Sequence, residues 1–363
     1  MNYVLIIASS GRMLAESARR AGMMPLIIDL FGDVDTREFA FDIQVVKGFD
    51  RLHLLPAVDV FLSIYPIDGF IYGSGLESQQ ECLGWISEKI SVLGNHPCTF
   101  NNILDKKYFF SKLDELNIDY PETRFGPPVV PEGWLVKPYY SEGGAGIVEF
   151  DNEKNDPQPV YWQRFIKGQA MSALFLADGS KAEIIGFNTQ WVDQDNHYPF
   201  IFSGVINQTE LSAIQQGLIF RWIKKTVAEF SLTGLNSLDF IVNEQSCFML
   251  EINPRPSASM VLYEPDYPNG LLFEHIRACR DGLEHFRFRG SQMVRGYQII
   301  YARYDLTFPS GIKWSEWVTD RPTAGSFIRM DQPICSIIAV EKNANIVLSV
   351  LQQRTDNIYK LLT

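Results

Sequence analysis

No stretch of the chain reaches 18 uninterrupted apolar residues, so nothing in it reads as a membrane span. Cysteine is scarce and scattered: Cys82, Cys98, Cys247, Cys279 and Cys335 form no CxxC pair. An odd, unclustered set fits reduced thiols better than a disulfide frame or a zinc site. The opening Met1–Ala8 has no basic flank and only a short apolar run, so no secretory signal is expected, and the expected compartment is the cytoplasm. Long basic runs are missing as well. With 32 Lys and Arg against 43 Asp and Glu, the net charge of −11 argues against a nucleic-acid partner. Neither GxxxxGKS/T nor GxGxxG occurs, which removes a Walker loop and makes a dehydrogenase a poor reading. No internal repeat is visible. What is present suffices for packed cores: 46% of the residues are hydrophobic and 13% aromatic, which excludes global disorder. A length of 363 residues has room for two or three compact units.

The first hundred residues read as an open α/β unit. Tyr3–Ala8 is a continuous apolar run of the kind a buried parallel strand shows, Ser9–Gly11 makes a turn, and Met13–Ala21 has helical spacing. Pro25–Leu30 is the next strand, Val58–Ile64 marks another, and Ser91–Gly94 a short last one. A helix is expected to start at Asn101, and Leu116–Thr123 turns out of it.

Farther on, Trp134–Pro138 and Ile147–Phe150 are strands around the glycine-rich Tyr139–Gly146. A Ser141-Glu-Gly-Gly-Ala-Gly146 tip between two strands reads as a mobile flap rather than a phosphate loop feeding a helix. Gly143, Gly144 and Gly146 let backbone N–H groups turn toward phosphate oxygens, and Lys137 at the base supplies a point charge. A plain turn is the bland alternative. Asn152–Pro159 is a polar loop, Val160–Ile166 and Ala170–Leu176 are strands, and Lys167-Gly168 is a bend. The aromatic segment Asp193–Phe202 is either a substrate-facing loop or an ordinary packed connection, and His197 in it reads as a surface histidine. Leu211–Phe230 is an amphipathic helix, with Ile214, Leu218, Ile219, Trp222, Ile223 and Val227 on one face. Asn269–Cys279 is another helix, and from Gln298 onward short strands and turns form a small last unit.

The stretch Asn236–Ser259 organises the rest. Leu238-Phe240-Val242 and Phe248-Leu250-Ile252 alternate with period two across a polar break at Glu244–Ser246. If both apolar sets share a face, Phe240 lies opposite Leu250 and Asp239 opposite Glu251. Asn253 follows on the Glu251 face, ~6.6 Å along the strand. Two carboxylates ~5 Å apart across a ladder repel unless a cation separates them. Their oxygens with an amide oxygen suit Mg²⁺ together with phosphate. Pro254 and Pro256 end the strand and hold Arg255 between them. The bland alternative is a solvated polar face, with Arg255 as the counter-ion of Glu251.

Leu-Glu-Ile-Asn-Pro-Arg255 resembles the metal-binding end of the ATP-grasp superfamily, many of whose members activate a carboxylate with ATP. The resemblance implies an α/β (α+β) ATP-grasp fold with an N-terminal open α/β lobe at 1–100. A central domain of two α+β subdomains follows at 101–288, its flap at about 121–180, and then a small β-rich C-terminal lobe at 289–363. It implies ATP and Mg²⁺ or Mn²⁺ as cofactors, with Asp239, Glu251 and Asn253 on the metal. Asp105-Lys106 before Ile118-x-x-Pro-x-Thr123 is similar to the start of that domain, where the lysine reaches the nucleotide phosphates; Lys107 could take its place. Lys106, Lys137, Ser141, Gly143 and Gly144 would then face the phosphates. Gln163, Arg164, Phe165 and Ile166 would be the hinge that reads adenine. The acidic ribose ligand of many members is missing, since Gln169-Ala170 stand there.

The implied chemistry is a carboxylate–amine ligase forming an amide through an acyl phosphate, with Arg255 and Lys137 stabilising charge and no nucleophilic Ser, Cys or His. Small carboxylate and amine substrates are the implied partners, with neither nucleic acid nor membrane, and a homodimer is a possible assembly. Asn236–Phe240, Gly186–Trp191 and Pro333–Ser336 look like the ligases of methanofuran and methylofuran biosynthesis, which join glutamate to tyramine or tyrosine. Two rivals stay open: a bicarbonate-using carboxylase resembling biotin carboxylase or carbamoyl-phosphate synthetase, and a non-catalytic nucleotide-binding module.

Overall fold

The computed structural model describes residues 2–151, 159–244 and 246–362. The polar loop expected at Asn152–Pro159 therefore lies, except for Pro159, outside the described residues, as does Gln245 in the hairpin break.

The apolar runs at the start pair as parallel strands in the spatial order Asp42–Val45, Met24–Asp29, Tyr3–Ile7, Ile67–Tyr72. The two inner strands, Tyr3–Ile7 and Met24–Asp29, are covered on both faces, which is why their runs do not alternate. Leu5, Ile7, Leu26 and Ile28 pack on the side of helix Arg51–Ile64, while Val4, Ile6 and Ile27 meet helix Arg12–Arg20. The strand expected at Val58–Ile64 is instead the end of helix Arg51–Ile64. Leu54, Leu55, Val58 and Phe61 recur at helical spacing and are all buried. The sheet strand is Ile67–Tyr72, and Ser91–Gly94 contributes only an isolated bridge, Phe70 to Val92.

The helix expected from Asn101 is two helices, Pro97–Leu104 and Lys106–Glu115. They break at Asp105, whose carboxylate accepts the Lys107 and Tyr108 N–H groups and so caps the second helix. A four-stranded antiparallel sheet, in the order Thr123–Arg124, Val160–Arg164, Trp134–Pro138, Val148–Glu149, then carries the flap between its last two strands.

An eight-stranded sheet forms the centre of the molecule. Its order is Cys247–Asn253, Thr233–Val242, Gln169–Asp178, Ala182–Val192, Phe202–Ile206, Val294–Tyr301, Pro333–Glu341, Val318–Thr319. Because Phe202–Ile206 pairs with Val294–Tyr301, the C-terminal strands continue the central sheet. Helix Ala213–Phe230 opens on a reciprocal Ser212–Gln215 capping box and buries Ile219, Trp222, Ile223 and Val227. Ile214, expected on that face, is 82% exposed, since its turn leaves the core. The last unit is also not simply a β lobe. A 19-residue helix, Ala344–Leu362, packs Val347, Leu351 and Ile358 onto its sheet. Among the described residues no helix is long and apolar enough to cross a membrane.

Two buried polar residues tie the N-terminal lobe to the carboxylate hairpin. His275 accepts the Leu235 N–H at Nδ1 (2.8 Å) and donates from Nε2 to the Leu93 carbonyl (2.8 Å). Asn95 donates to Asn236 Oδ1 (2.7 Å) and to the Pro254 carbonyl (2.9 Å).

Candidate active site

Strands Thr233–Val242 and Cys247–Asn253 place Asp239 opposite Glu251 and Ser237 opposite Asn253. Beyond Asp239 the register shifts, so Phe240 faces Met249, and the expected Phe240–Leu250 pair does not form. The cause is a bulge at Leu250. It sends Cys247, Met249 and Ile252 into the core and leaves Phe248 and Leu250 half-buried. Strict alternation would have buried Leu250; the bulge turns it to line the cavity instead.

Asp239 accepts the Asn253 amide (3.0 Å) and the Gln190 amide (3.3 Å). Burial, and then the negative charge of Glu251, push its carboxyl well above the usual range. Lys106 Nζ is 3.7 Å from Glu251 Oε2 and the residue is only 6% exposed. Lys107 points away, over the Phe125 ring, so it does not replace Lys106. Lys137 is buried and donates to Gln163 Oε1 at 3.1 Å. Burial and the charge of Lys106 lower its pKa, with Glu251 and Asp239 working against them.

A buried carboxyl whose proton affinity is raised by burial and by a second carboxylate facing it is a site asking for a cation. Among the described residues no cluster of three or more His, Cys, Asp and Glu side chains is placed to hold a metal. The chain thus offers two carboxylates and an amide, which fits Mg²⁺ where phosphate oxygens and water complete the shell. Asn253 donates its N–H to Asp239 here; as a metal ligand it would offer its oxygen.

Every residue expected at the site, from Lys106 to Arg255, lines one cavity of about 310 Å³. The hinge differs in detail from expectation. Gln163 is 2% exposed and spends its side chain on Lys137 and Thr123, so it positions the lysine. The Arg164 guanidinium turns outward, donating to the Glu132 carbonyl (2.8 Å) and lying over Trp134. The Phe165 N–H bonds the Gly133 carbonyl (3.0 Å), while the Ile166 N–H has no partner among the described residues. In place of a ribose acid, Gln169 donates to the Ala170 and Gln190 carbonyls.

The flap rests on other parts of the chain. Gly143 accepts the Phe202 N–H (2.7 Å), and a Cβ on Gly144, at φ +82°, would stand 2.0 Å from the Phe200 carbonyl oxygen. The close approach visible at Gly144 is therefore to the Phe200 backbone. Phe200 and Phe202 line the cavity, so part of the aromatic connection faces the site; His197 instead pairs with Asp331 (2.9 Å).

Arg255 does not pair with Glu251. Its Nε and Nη2 both reach Oε1 of Glu77, each at 2.7 Å, and both side chains are about 10% exposed. Glu77 comes from the loop after strand Ile67–Tyr72, where sequence reasoning named no functional residue. Burial opposes the Arg255 charge, but Glu77, Glu142 and Glu251 outweigh it. Glu142, on the flap, hydrogen-bonds to Glu77 in turn. A carboxylate inside a loop read as phosphate-binding was the one signal in the sequence that could have drawn attention to it.

Residues 103–259 match the family model described as the ATP-grasp domain, and this part of the chain is an ATP-grasp domain. Such a domain works on ATP with Mg²⁺. Over 277 residues the chain is 22% identical to an uncharacterised protein of Methanocaldococcus jannaschii, covering 72% of this chain and 67% of that one. It is 23% identical over 195 residues to the arginine-specific carbamoyl phosphate synthase large chain of Bacillus subtilis, covering 47% of this chain. The matched region spans only 18% of that large chain. Among solved structures, the biotin carboxylase domain of Hydrogenobacter thermophilus 2-oxoglutarate carboxylase superposes with a TM-score of 0.76 at 13% identity, covering 96% of this chain and 88% of that one. L-amino acid ligase from Bacillus licheniformis superposes with a TM-score of 0.73 at 14% identity, covering 98% and 97%. At these identities the likeness is one of fold.

Proposed function

We propose that the protein is an ATP-dependent carboxylate–amine ligase that forms an amide through an acyl phosphate and releases ADP and phosphate. The observation that carries this reading is the Asp239–Glu251 pair with Asn253, set in one cavity with Lys106, Lys137 and Arg255. Mg²⁺, held by Asp239, Glu251 and Asn253, would neutralise charge on the nucleotide phosphates. Lys106 and Lys137, both buried, keep fixed positive charge beside the transferred phosphoryl group. A donor carboxylate oxygen attacks the γ-phosphorus and ADP leaves; the amine nitrogen then attacks the acyl carbon and phosphate leaves. Arg255, a planar fork, would grip the acyl phosphate or the donor carboxylate. The flap keeps water off the acyl phosphate, which would otherwise hydrolyse.

Within this class we favour an amino-acid donor, glutamate, and an aromatic amine, tyramine or tyrosine, on the strength of the phrases at 186–191, 236–240 and 333–336. A second reading, a bicarbonate-using carboxylase, is favoured by the likeness to carbamoyl phosphate synthase and biotin carboxylase chains. Pools of amino acids and amines, with bicarbonate as a separate arm, should separate the two through ADP release. With ¹⁸O-carboxylate donor, a ligase moves one label into phosphate. AMP as product, or phosphate without label, would sink the ligase reading, and ADP release dependent on bicarbonate alone would replace it with the second.

A further inference from the structure

The contact between Glu142 and Glu77 joins the flap to the N-terminal lobe at the residue that holds Arg255. Two carboxyl groups in hydrogen-bonding contact repel as like charges unless a proton or a cation lies between them. Glu77 is the better anion of the pair. Arg255 pulls it below the ordinary carboxylate range although burial pushes it the other way. Its second oxygen also accepts the Gly75 N–H at 2.8 Å. Glu142 faces that anion and the Gly75 backbone. Among the described residues, the charged and titratable groups that act on the pair or on its arginine include Arg255 itself, Glu251 beyond it, and Tyr72, whose hydroxyl is spent on the Asn95 carbonyl (2.8 Å). The Arg255 charge is felt by both carboxyls, but its N–H groups are spent on Glu77 and the Pro256 carbonyl, so the proton on Glu142 is what makes the carboxyl–carboxyl contact attractive.

We propose that Glu142 and Glu77 share one proton as a latch, which holds the glycine-rich flap down and fixes Arg255 in its place at the site. Glu142 is thus a positioning residue that acts on Arg255 through Glu77. The part assigned to Arg255 rests on the ligase reading; the latch does not. Supporting geometry comes from the rest of the flap, which is seated on the Phe200–Phe202 backbone through Gly143 and Gly144 and closes internally through Ala145 N–H to Glu142 O (3.0 Å). Burial, followed by the Glu77 charge, raises the Glu142 carboxyl to about 8. In an open flap it would titrate like an ordinary glutamate. Closure is therefore fully favoured at low pH and lost as pH rises through about 8.

The test is amide hydrogen exchange in the full chain, read over the flap at 139–147 and at Phe202, with rates corrected for the intrinsic effect of pH. Wild-type flap amides should lose about tenfold or more of their protection between pH 6.5 and pH 9. E142Q, whose amide donates to Glu77 at every pH, should stay protected throughout. E142A should be unprotected at both pH values, while amides of the eight-stranded sheet remain slow. E142A protected like wild type, or E142Q following the wild-type pH curve, would overturn the latch. Should E142A lose protection in the sheet as well, the comparison of E142Q with wild type decides alone. None of these readouts needs substrate, so failure of the latch and failure of the ligase reading are seen in different experiments.

Discussion

At the scale of single residues, the site is a set of charges that only make sense together. Asp239 and Glu251 oppose each other across a ladder, and Lys106 and Lys137 approach from two other elements. Removing one charge from such a set changes the site more than the fold, because Glu251 is only partly buried. E251Q should therefore lower ATP turnover by ~10²-fold or more, with an unchanged melting temperature. A rate that stays at the wild-type level in saturating Mg²⁺ would remove Glu251 from the metal shell. Arg255 teaches the same lesson from the other side. The sequence offers Glu251 as its neighbour four residues away, yet Glu77, 178 residues distant, holds it. Sequence separation carries no information about such a partner.

At the scale of elements, the flap is the part whose behaviour the surroundings decide. Its glycines were legible from sequence as a requirement for unusual backbone, and Gly143, Gly144 and Gly146 all have positive φ. What lies against them was not legible. A side chain on Gly144 would have to displace the Phe200 carbonyl and adopt φ +82°, so G144V should keep the flap from seating. We expect loss of ATP-dependent turnover by about tenfold or more with little change in melting temperature, because the affected segment is a loop on a small sheet. Kinetics and calorimetry on the same preparation check this. A large drop in stability instead would mean that the segment is a packed structural turn. The bulge at Leu250 is a second case: alternation read from the sequence had the right strands and the right Asp239–Glu251 pair, but a bulge changes which side chains enter the core.

At the scale of the whole molecule, the lobes are held by buried polar residues whose protonation matters. His275 lies between the N-terminal lobe and the hairpin, is 1% exposed, and has its pKa lowered to about 4 by burial, with the Leu93 carbonyl opposing. Its neutral form contributes stability that is complete above the unfolded pKa near 6.5 and is lost as pH falls toward 4. The loss should be on the order of 3 kcal/mol by pH 4 from this one group. Denaturant unfolding at several pH values should show that slope, and H275Q should flatten it; an identical slope in the variant would place the acid sensitivity elsewhere.

The sequence by itself determined the local chemistry. The parallel strands Tyr3–Ile7 and Met24–Asp29 declared themselves as unbroken apolar runs, the hairpin by its alternation, the flap by its glycines, and the ATP-grasp resemblance by Leu250–Arg255. These signals are legible because they depend on neighbours a few residues apart, where backbone period and side-chain type are enough. Tertiary structure decided what had no local cause. Helix Arg51–Ile64 took residues that looked like a strand because its buried face meets the sheet built from Tyr3–Ile7 and Met24–Asp29. The C-terminal strands joined the central sheet by pairing with Phe202–Ile206. Gln163 became the partner of Lys137, and Glu77 and Glu142 met beside Arg255, because folding brings three separate segments to one buried point. There the cost of desolvating charge leaves each acid and base only the partners that the fold supplies.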